Sequence, residues 1–516
     1  MDAHENISAL RRFILNLKAA PRLILESAAR TGLPRTDRSR ASFVFENLFL
    51  HLHPVRVHRW TLRWSTTWGL GILCVVCFLL TLLTGLLLMF YYKPYPDVAY
   101  QSIKDIHFVV PTGQFIRNIH RWAANLMVVG VFLHMARVFY TAAYRPPREF
   151  NWLVGMGLLI LTLGLSYTGY LLPWDQLAYW ATTIGANVAQ SPREVTDAVG
   201  ITEIIDIGGI QRELLLGSDV VGEEALIRFY VLHVMLLPMA LGMLMAVHFW
   251  RIRKDGGLAR PADADRRLGT LPTDAYPVFT QAPLKTYQLV ALVKGKAPGP
   301  DNGPENTLPS MPHLFYAELA VLMFTTLICV GLSLWMDAPL KELANPNVPE
   351  NSAKAPWYFL GLQELVSFSA FMGGIGIPAL VVVGLGLIPY LEREQEGTGV
   401  WFGGPGGGRL VVEAALIGLT TVSAVEALAI SQGWLREWFP DIHQLAVTLF
   451  NPGTLIAGIY ALYSVLVVKR FNSTRAGAMA LFTCFLCGYV VLTIIGAYFR
   501  GPNWEFYWSP SQWPSH

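Results

Sequence analysis

A chain of 516 residues with 53% apolar side chains, a mean hydropathy of +0.40 and only 15% charged residues falls well short of the roughly 25% charge of an ordinary soluble domain. That excludes a soluble enzyme and a disordered scaffold. The net charge of +3, from 39 basic and 36 acidic residues, is too balanced for nucleic-acid binding to be expected.

In chain order, the first thirty residues have Arg11, Arg12, Lys18 and Arg22 breaking up short apolar groups. They lack the continuous apolar run of a signal peptide and read as an amphipathic helix on a membrane surface. Crossing a bilayer takes about 20 apolar residues. Candidate spans are 68–92, 118–140, 152–172, 228–250, 314–335, 374–391, 410–431, 453–468 and 476–499. The sixth and eighth are short, so eight or nine transmembrane helices are expected, in an all-α integral membrane protein. The run 296–312, with Pro298, Pro300, Pro304, Pro309 and Pro312, reads as an extended linker. Five cysteines (Cys74, Cys77, Cys329, Cys484 and Cys487) lie inside apolar stretches and read as packing residues; no C-x-x-C-H motif for covalent haem is present.

Charge sets the expected orientation. Residues 1–67 carry eleven Lys/Arg against five Asp/Glu, and 251–312 carry nine against six; 173–225 carry two against nine. Threading nine spans alternately puts every basic segment on the side of the N-terminus, which should be cytoplasmic.

Four of the twelve histidines lie inside spans: His120 and His134 in the second, His233 and His248 in the fourth. Steps of fourteen and fifteen residues leave each pair about 40–60° apart on one helix face and about 21–22 Å apart along it. The second and fourth spans run in the same direction, so His120 lies level with His233 and His134 with His248. Two levels of paired imidazoles fit two bis-histidine haems stacked across the bilayer. A zinc site would need three or four ligands close together. Gly71 and Gly85 in the first span, and Gly155 and Gly169 in the third, repeat the fourteen-residue step, as expected where a flat macrocycle presses on a helix. Arg117 and Arg121 flank His120 and could neutralise haem propionates.

These residues resemble a known family. Arg117-Asn-Ile-His-Arg-Trp, His134-Met-Ala-Arg-Val, Arg145-Pro-Pro-Arg-Glu, Thr168-Gly-Tyr-Leu-Leu-Pro-Trp-Asp-Gln and Arg228-Phe-Tyr-Val-Leu-His are similar to cytochrome b of quinol:cytochrome c and plastoquinol:plastocyanin reductases. The fifteen-residue step is of the cytochrome b6 kind, and 314–431 resembles subunit IV fused to it. The likeness covers roughly 60–431. It divides the chain into an extension (1–67), a four-helix haem domain (68–250), a linker (251–312), a subunit IV-like domain (313–431) and further C-terminal helices (432–516).

The resemblance implies two non-covalent b haems, His120 and His233 ligating the outer iron, and His134 and His248 the inner. It implies quinol oxidation at the outer face in a proton-translocating Q cycle. One electron passes to a Rieske iron–sulfur protein and a c-type cytochrome, and the other passes inward to reduce quinone. It further implies a homodimeric complex, with room for small membrane subunits, in a bacterial-type inner membrane.

Three departures follow. Gly69 replaces the cysteine that would carry a third haem by a thioether, so no covalent third haem is expected and the room is open to a quinone. The Pro-Glu-Trp-Tyr motif becomes Ala355-Pro356-Trp357-Tyr358, without its carboxylate. Glu364, or else Glu350, is then the expected proton acceptor, with Tyr358 and Tyr170 bonding the quinol head; a surface glutamate paired with Lys354 is the alternative. Residues 1–59 and 440–516 have no counterpart, and the ending Asn503-Trp-Glu-Phe-Tyr-Trp reads as an interfacial anchor. Arg253, just past His248, is expected at the inner quinone site. Two other readings stay open: the haem-bearing anchor of a dehydrogenase, and a transporter whose histidines are only packed.

Overall fold

The computed structural model describes residues 18–19, 21, 36–46, 52–269, 306–394 and 396–514. Most of the surface helix expected within residues 1–30 and most of the expected linker 296–312 lie outside them. Among the described residues, nine helices are long and apolar enough to cross a membrane. They are α1 (Leu70–Met89), α2 (Gly113–Tyr140), α3 (Glu149–Leu171), α4 (Glu223–Lys254), α5 (Ser310–Trp335), α6 (Met372–Leu391), α7 (Gly407–Gln432), α8 (Pro452–Phe471) and α9 (Thr474–Phe499). All nine expected spans are therefore helical. Here "inner" denotes the face carrying residues 52–67, and "outer" the face opposite.

Apolar side chains point outward as well as inward. Leu83, Met243, Leu327, Leu380 and Leu462 are each at least 60% exposed. Such a surface is stable only where hydrocarbon replaces water. Helix ends are fixed locally. Asn451 accepts a hydrogen bond from the Thr454 N–H ahead of Pro452 to start α8, and Ser473 accepts from Ala476 to start α9, as side-chain caps do. Between them Asn472 adopts a left-handed backbone that ends α8. The expected linker ends in order: Thr307–Pro309 pairs antiparallel with Arg56–His58, Val57 opposite Leu308.

Helix α1 packs on α2 and α3 on α4, which makes the four-helix bundle; α5 lies against α1 and α2, and α6 against α3. Helices α7, α8 and α9 pack on one another, and α9 also contacts the short outer helix Trp357–Phe368. One apolar core joins the two groups on the inner side. Phe139, Tyr140, Tyr144 and Trp152 meet Leu410, Ala414, Met479 and Phe482 there, with Phe139 stacked on Phe482 at 4.0 Å.

Two buried cations lock this junction. Arg475, fully buried, donates to the carbonyls of Phe139 and Tyr140 and to the Tyr144 hydroxyl, all at 3.0 Å. Arg145 grips Glu392 through Nε (2.9 Å) and Nη2 (2.8 Å), and Tyr144 donates to the same carboxylate at 2.7 Å. Removing one partner of a buried pair strands the other charge and costs about 3–5 kcal/mol, whereas an exposed pair is worth about 0–1 kcal/mol. Glu392→Ala should therefore lower the thermal inactivation midpoint in detergent by several degrees. Loss of the exposed Arg470–Glu413 pair through Arg470→Ala should barely move it.

Candidate haem and quinone site

The two expected levels are present in the bundle. His120 on α2 faces His233 on α4 with ring centroids 6.1 Å apart, and His134 faces His248 at 6.4 Å. Two metal–imidazole bonds of about 2.0–2.1 Å laid end to end, plus the half-width of each ring, span about the same distance. The donor chemistry and spacing fit a six-coordinate iron with neutral imidazole ligands.

The unequal steps on α2 and α4 have a backbone cause. His233 sits in a π-helical turn, Leu232–Leu236, one turn ahead of Pro238. A π turn accommodates one extra residue, so fifteen residues on α4 do the work of fourteen on α2.

Each of the four glycines lies against one of the histidine rings. A Cβ at Gly169 would lie 2.5 Å from His233 Cε1, and one at Gly85 would lie 3.2 Å from His120 Cε1. At Gly71 and Gly155 the same atoms of His134 and His248 would be 3.5 and 3.8 Å away. Each glycine thus gives one imidazole its place against the neighbouring helix.

At the outer level each glycine follows a threonine. Thr84 Oγ1 donates to Leu80 O at 2.6 Å and lies 3.0 Å from His120 Nδ1; Thr168 Oγ1 donates to Gly164 O at 2.9 Å and lies 3.2 Å from His233 Nδ1. With its own proton committed to the helix, each hydroxyl oxygen receives the Nδ1–H, which leaves Nε2 bare for a metal. At the inner level Leu70 and Val154 occupy the matching positions, so the two levels differ chemically.

A cavity opens at each level. The outer one, about 1710 Å³ with its mouth included, is lined by His120, His233, Arg117, Arg121, Asn125, Tyr170, Asp175, Lys341 and Tyr358 among others. Arg121 stands over the Tyr170 ring at 5.9 Å. Arg117 donates to Ala338 O (2.8 Å) and Pro339 O (2.6 Å), so part of its donor set already ties the outer loop to α2. The inner cavity, about 750 Å³, is lined by His134, His248, Arg137, Arg148, Asn151 and Tyr144.

Several expected site residues lie elsewhere. Glu364 is fully buried on the face of its helix turned away from the cavity, where Arg500 Nε donates to both its oxygens (2.9 and 3.1 Å) and Trp504 Nε1 donates at 3.0 Å. Six residues separate it from Tyr358, about 120° round the helix. Tyr358 therefore faces the cavity and Glu364 faces α9. Glu364 is the anchor of the outer helix, with neither Lys354 nor lipid as its partner. Lys354 donates instead to Ala497 O at 2.8 Å, and Glu350 pairs with Lys341 at 2.9 Å.

Pro356 caps the outer helix, and Trp357 donates to the cavity residue Asn125 at 3.0 Å; neither lines the cavity itself. Arg253 does not line the inner cavity, whose cations are Arg137 and Arg148. Both sit in the quoted motifs, but nothing in sequence spacing marked them above Arg253. Trp504, expected as an interfacial anchor, belongs to the buried Glu364 cluster, while Trp508 is 74% exposed.

The geometry agrees with comparison to known proteins. The family model described as Cytochrome b/b6/petB matches residues 59–256. The cytochrome b6 of Heliobacterium mobile is 44% identical over 204 residues, covering 40% of this chain and 88% of that protein. The cytochrome b6 of Prochlorococcus marinus is 40% identical over 187 residues, covering 36% and 80%. A chain of a solved hyperthermophilic respiratory Complex III has the same fold, with a TM-score of 0.51 and 22% identity over 83% of this chain and 91% of that one. The protein belongs to the cytochrome b/b6 family: a multi-pass, haem b-binding membrane subunit of a redox complex.

Proposed function

We propose that this chain is the cytochrome b subunit of a quinol:cytochrome c type oxidoreductase. It would oxidise quinol in the outer cavity and reduce quinone at the inner one, with a Rieske iron–sulfur protein and a c-type cytochrome as partners in a homodimeric complex. The observation that carries the reading is the pair of facing imidazoles at each of two depths, each with a cavity beside it. Bound between His120 and His233, and between His134 and His248, haem b would supply one-electron carriers at both levels.

The chain's own residues supply the rest. Tyr170 and Tyr358 present hydroxyls to a quinol head in the outer cavity. Arg137, held by the carbonyl of Thr66 at 2.8 Å, and Arg148, held by that of Gly257 at 3.0 Å, place positive charge beside the inner cavity. There they favour a reduced, anionic quinone. The orientation proposed puts the basic inner face in the cytoplasm. The subunit IV-like half, the two cavities and the tyrosines favour this reading over a dehydrogenase anchor.

Gly69 supports a two-haem reading. Its φ is +66°, and a Cβ there would lie 2.8 Å from the Val321 side chain of α5. A cysteine at this point would be strained and crowded, and Val321 of α5 stands where the sequence left room for a quinone.

Four results are expected. In potentiometric titrations of membranes, His233→Leu or Gly169→Val should remove one b-haem component and His248→Leu the other. Thr168→Val should weaken retention of the outer haem alone, by about 10–100-fold, as loss of a ligand's supporting hydrogen bond typically does. Haem staining of a denaturing gel should leave the 57.4 kDa band unstained; a stained band would show a covalent haem. With the outer site inhibited, Arg148→Ala should slow reoxidation of the inner haem by quinone about tenfold or more, the weight of one charged hydrogen bond. Arg253→Ala should do less; the opposite order would return Arg253 to the inner site.

A further inference from the structure

Quinol oxidation releases two protons, and a side chain that accepts one must be within reach of the substrate. The Ala355-Pro356-Trp357-Tyr358 loop has no carboxylate, and Glu364 is turned away and bound by Arg500. Among the described residues that line the outer cavity, Asp175 is the one carboxylate. We propose that Asp175 accepts a proton from quinol in the outer cavity. This deepens the quinol-oxidising reading above and rests on it.

Asp175 follows the outer end of α3 and is 6% exposed. Its Oδ1 accepts from the Ala178 N–H and its Oδ2 from the Lys341 N–H, both at 2.9 Å. Each oxygen keeps a second lone pair, so these contacts fix the carboxylate without filling it. Charged and titratable groups stand on several of the elements around it. These are Arg117 from α2, Tyr170 from α3, Tyr100 from the helix Pro96–Phe108, and Lys341, Glu342 and Glu350 from the outer loop. Burial pushes the Asp175 carboxyl above its ordinary value, against the pull of the two N–H donors and Arg117. That direction suits a base working nearer neutral pH.

In the step, a quinol O–H bond breaks and an Oδ–H bond forms, so Asp175 becomes a neutral acid. The electron released with that proton goes to a one-electron acceptor of the proposed complex, the iron–sulfur protein or the outer haem. One of the two quinol protons is moved in this way. The outer loop marks a short way out. Lys341 holds Asp175 through its backbone, and its ammonium pairs with Glu350 at 2.9 Å, both side chains reaching solvent.

Asp175 also caps the helix Gln176–Gln190, so a purely structural role must be separated from proton transfer. Asparagine and serine both preserve an N-cap, and neither can accept a proton. The test is the pH dependence of outer-haem reduction in the purified complex with the inner site inhibited. Short-chain benzoquinol and naphthoquinol serve in parallel as donors. The parent rate should fall as pH drops through the Asp175 titration, because only the ionised carboxylate accepts.

Asp175→Asn and Asp175→Ser should each lower kcat at least tenfold and lose that acidic limb, with KM and the outer-haem spectrum little changed. Asp175→Glu should restore the limb. Should Asp175→Asn fail to assemble, Asp175→Ser decides alone. A parental rate and pH profile in either variant overturns the proposal, as does loss of the limb in Glu364→Gln but not in Asp175→Asn. If neither quinol reduces the outer haem in the parent complex, the quinol-oxidising reading itself falls and takes this role with it.

Discussion

Two imidazoles must face one another across a narrow gap, twice, inside a bundle that excludes water. This constraint governs the first half of the molecule. It fixes α2 and α4 as parallel helices with their histidines in register, and it explains why an extra residue on α4 is absorbed in a π turn at His233. It also requires α1 and α3 to give way, which Gly71, Gly85, Gly155 and Gly169 do by bringing backbone rather than side chain to each ring. A hydrogen bond to its second nitrogen orients an imidazole ligand and raises its basicity. Thr84 and Thr168 hold it at the outer level and not at the inner, so the fold itself makes the two levels unequal.

The second half of the chain braces both ends of that bundle. At the inner face Arg475, the first buried cation of α9, binds the carbonyls that end α2 and orients Tyr144 at the cavity wall. At the outer face Arg500, just beyond the same helix, holds Glu364 and with it the helix that turns Tyr358 inward. Gly361 allows the close approach, since a Cβ there would lie 2.8 Å from Thr493 Oγ1. One helix therefore ties down the loops at both cavities, through Arg475's hydrogen bonds to backbone at the inner face and the buried Arg500–Glu364 pair at the outer, where loss of one partner would strand the other charge.

How much was legible in the sequence followed from the kind of signal. Bilayer thickness imposes a length on apolar segments, so the nine spans could be read directly. Helix periodicity likewise put His120 level with His233, because an α-helix turns by a fixed angle per residue. Direction on a short interfacial helix was not legible. Glu364 looked available because the Pro356-Trp357-Tyr358 motif lacks its carboxylate, whereas its partner Arg500 lies 136 residues away and no local pattern announces such a pair. Arg137 and Arg148 were hidden for the same reason: their place at the inner cavity depends on how α2 and α3 pack. Asp175 stood inside a quoted motif, yet its burial depends on the distant Lys341 loop. The glycines were found by their spacing, but their contact with the histidine rings was not legible, since spacing says which residues align and not what they touch.

The central claim is that this polypeptide holds two b haems, one at each histidine level. The most direct measurement is the haem b content of the purified complex per cytochrome b chain, followed by an optical redox titration of the same sample. Two haems per chain, titrating as two one-electron components of similar amplitude, is the result expected. One haem per chain, or a single titrating component lost equally in His120→Leu and His134→Leu, would contradict the account.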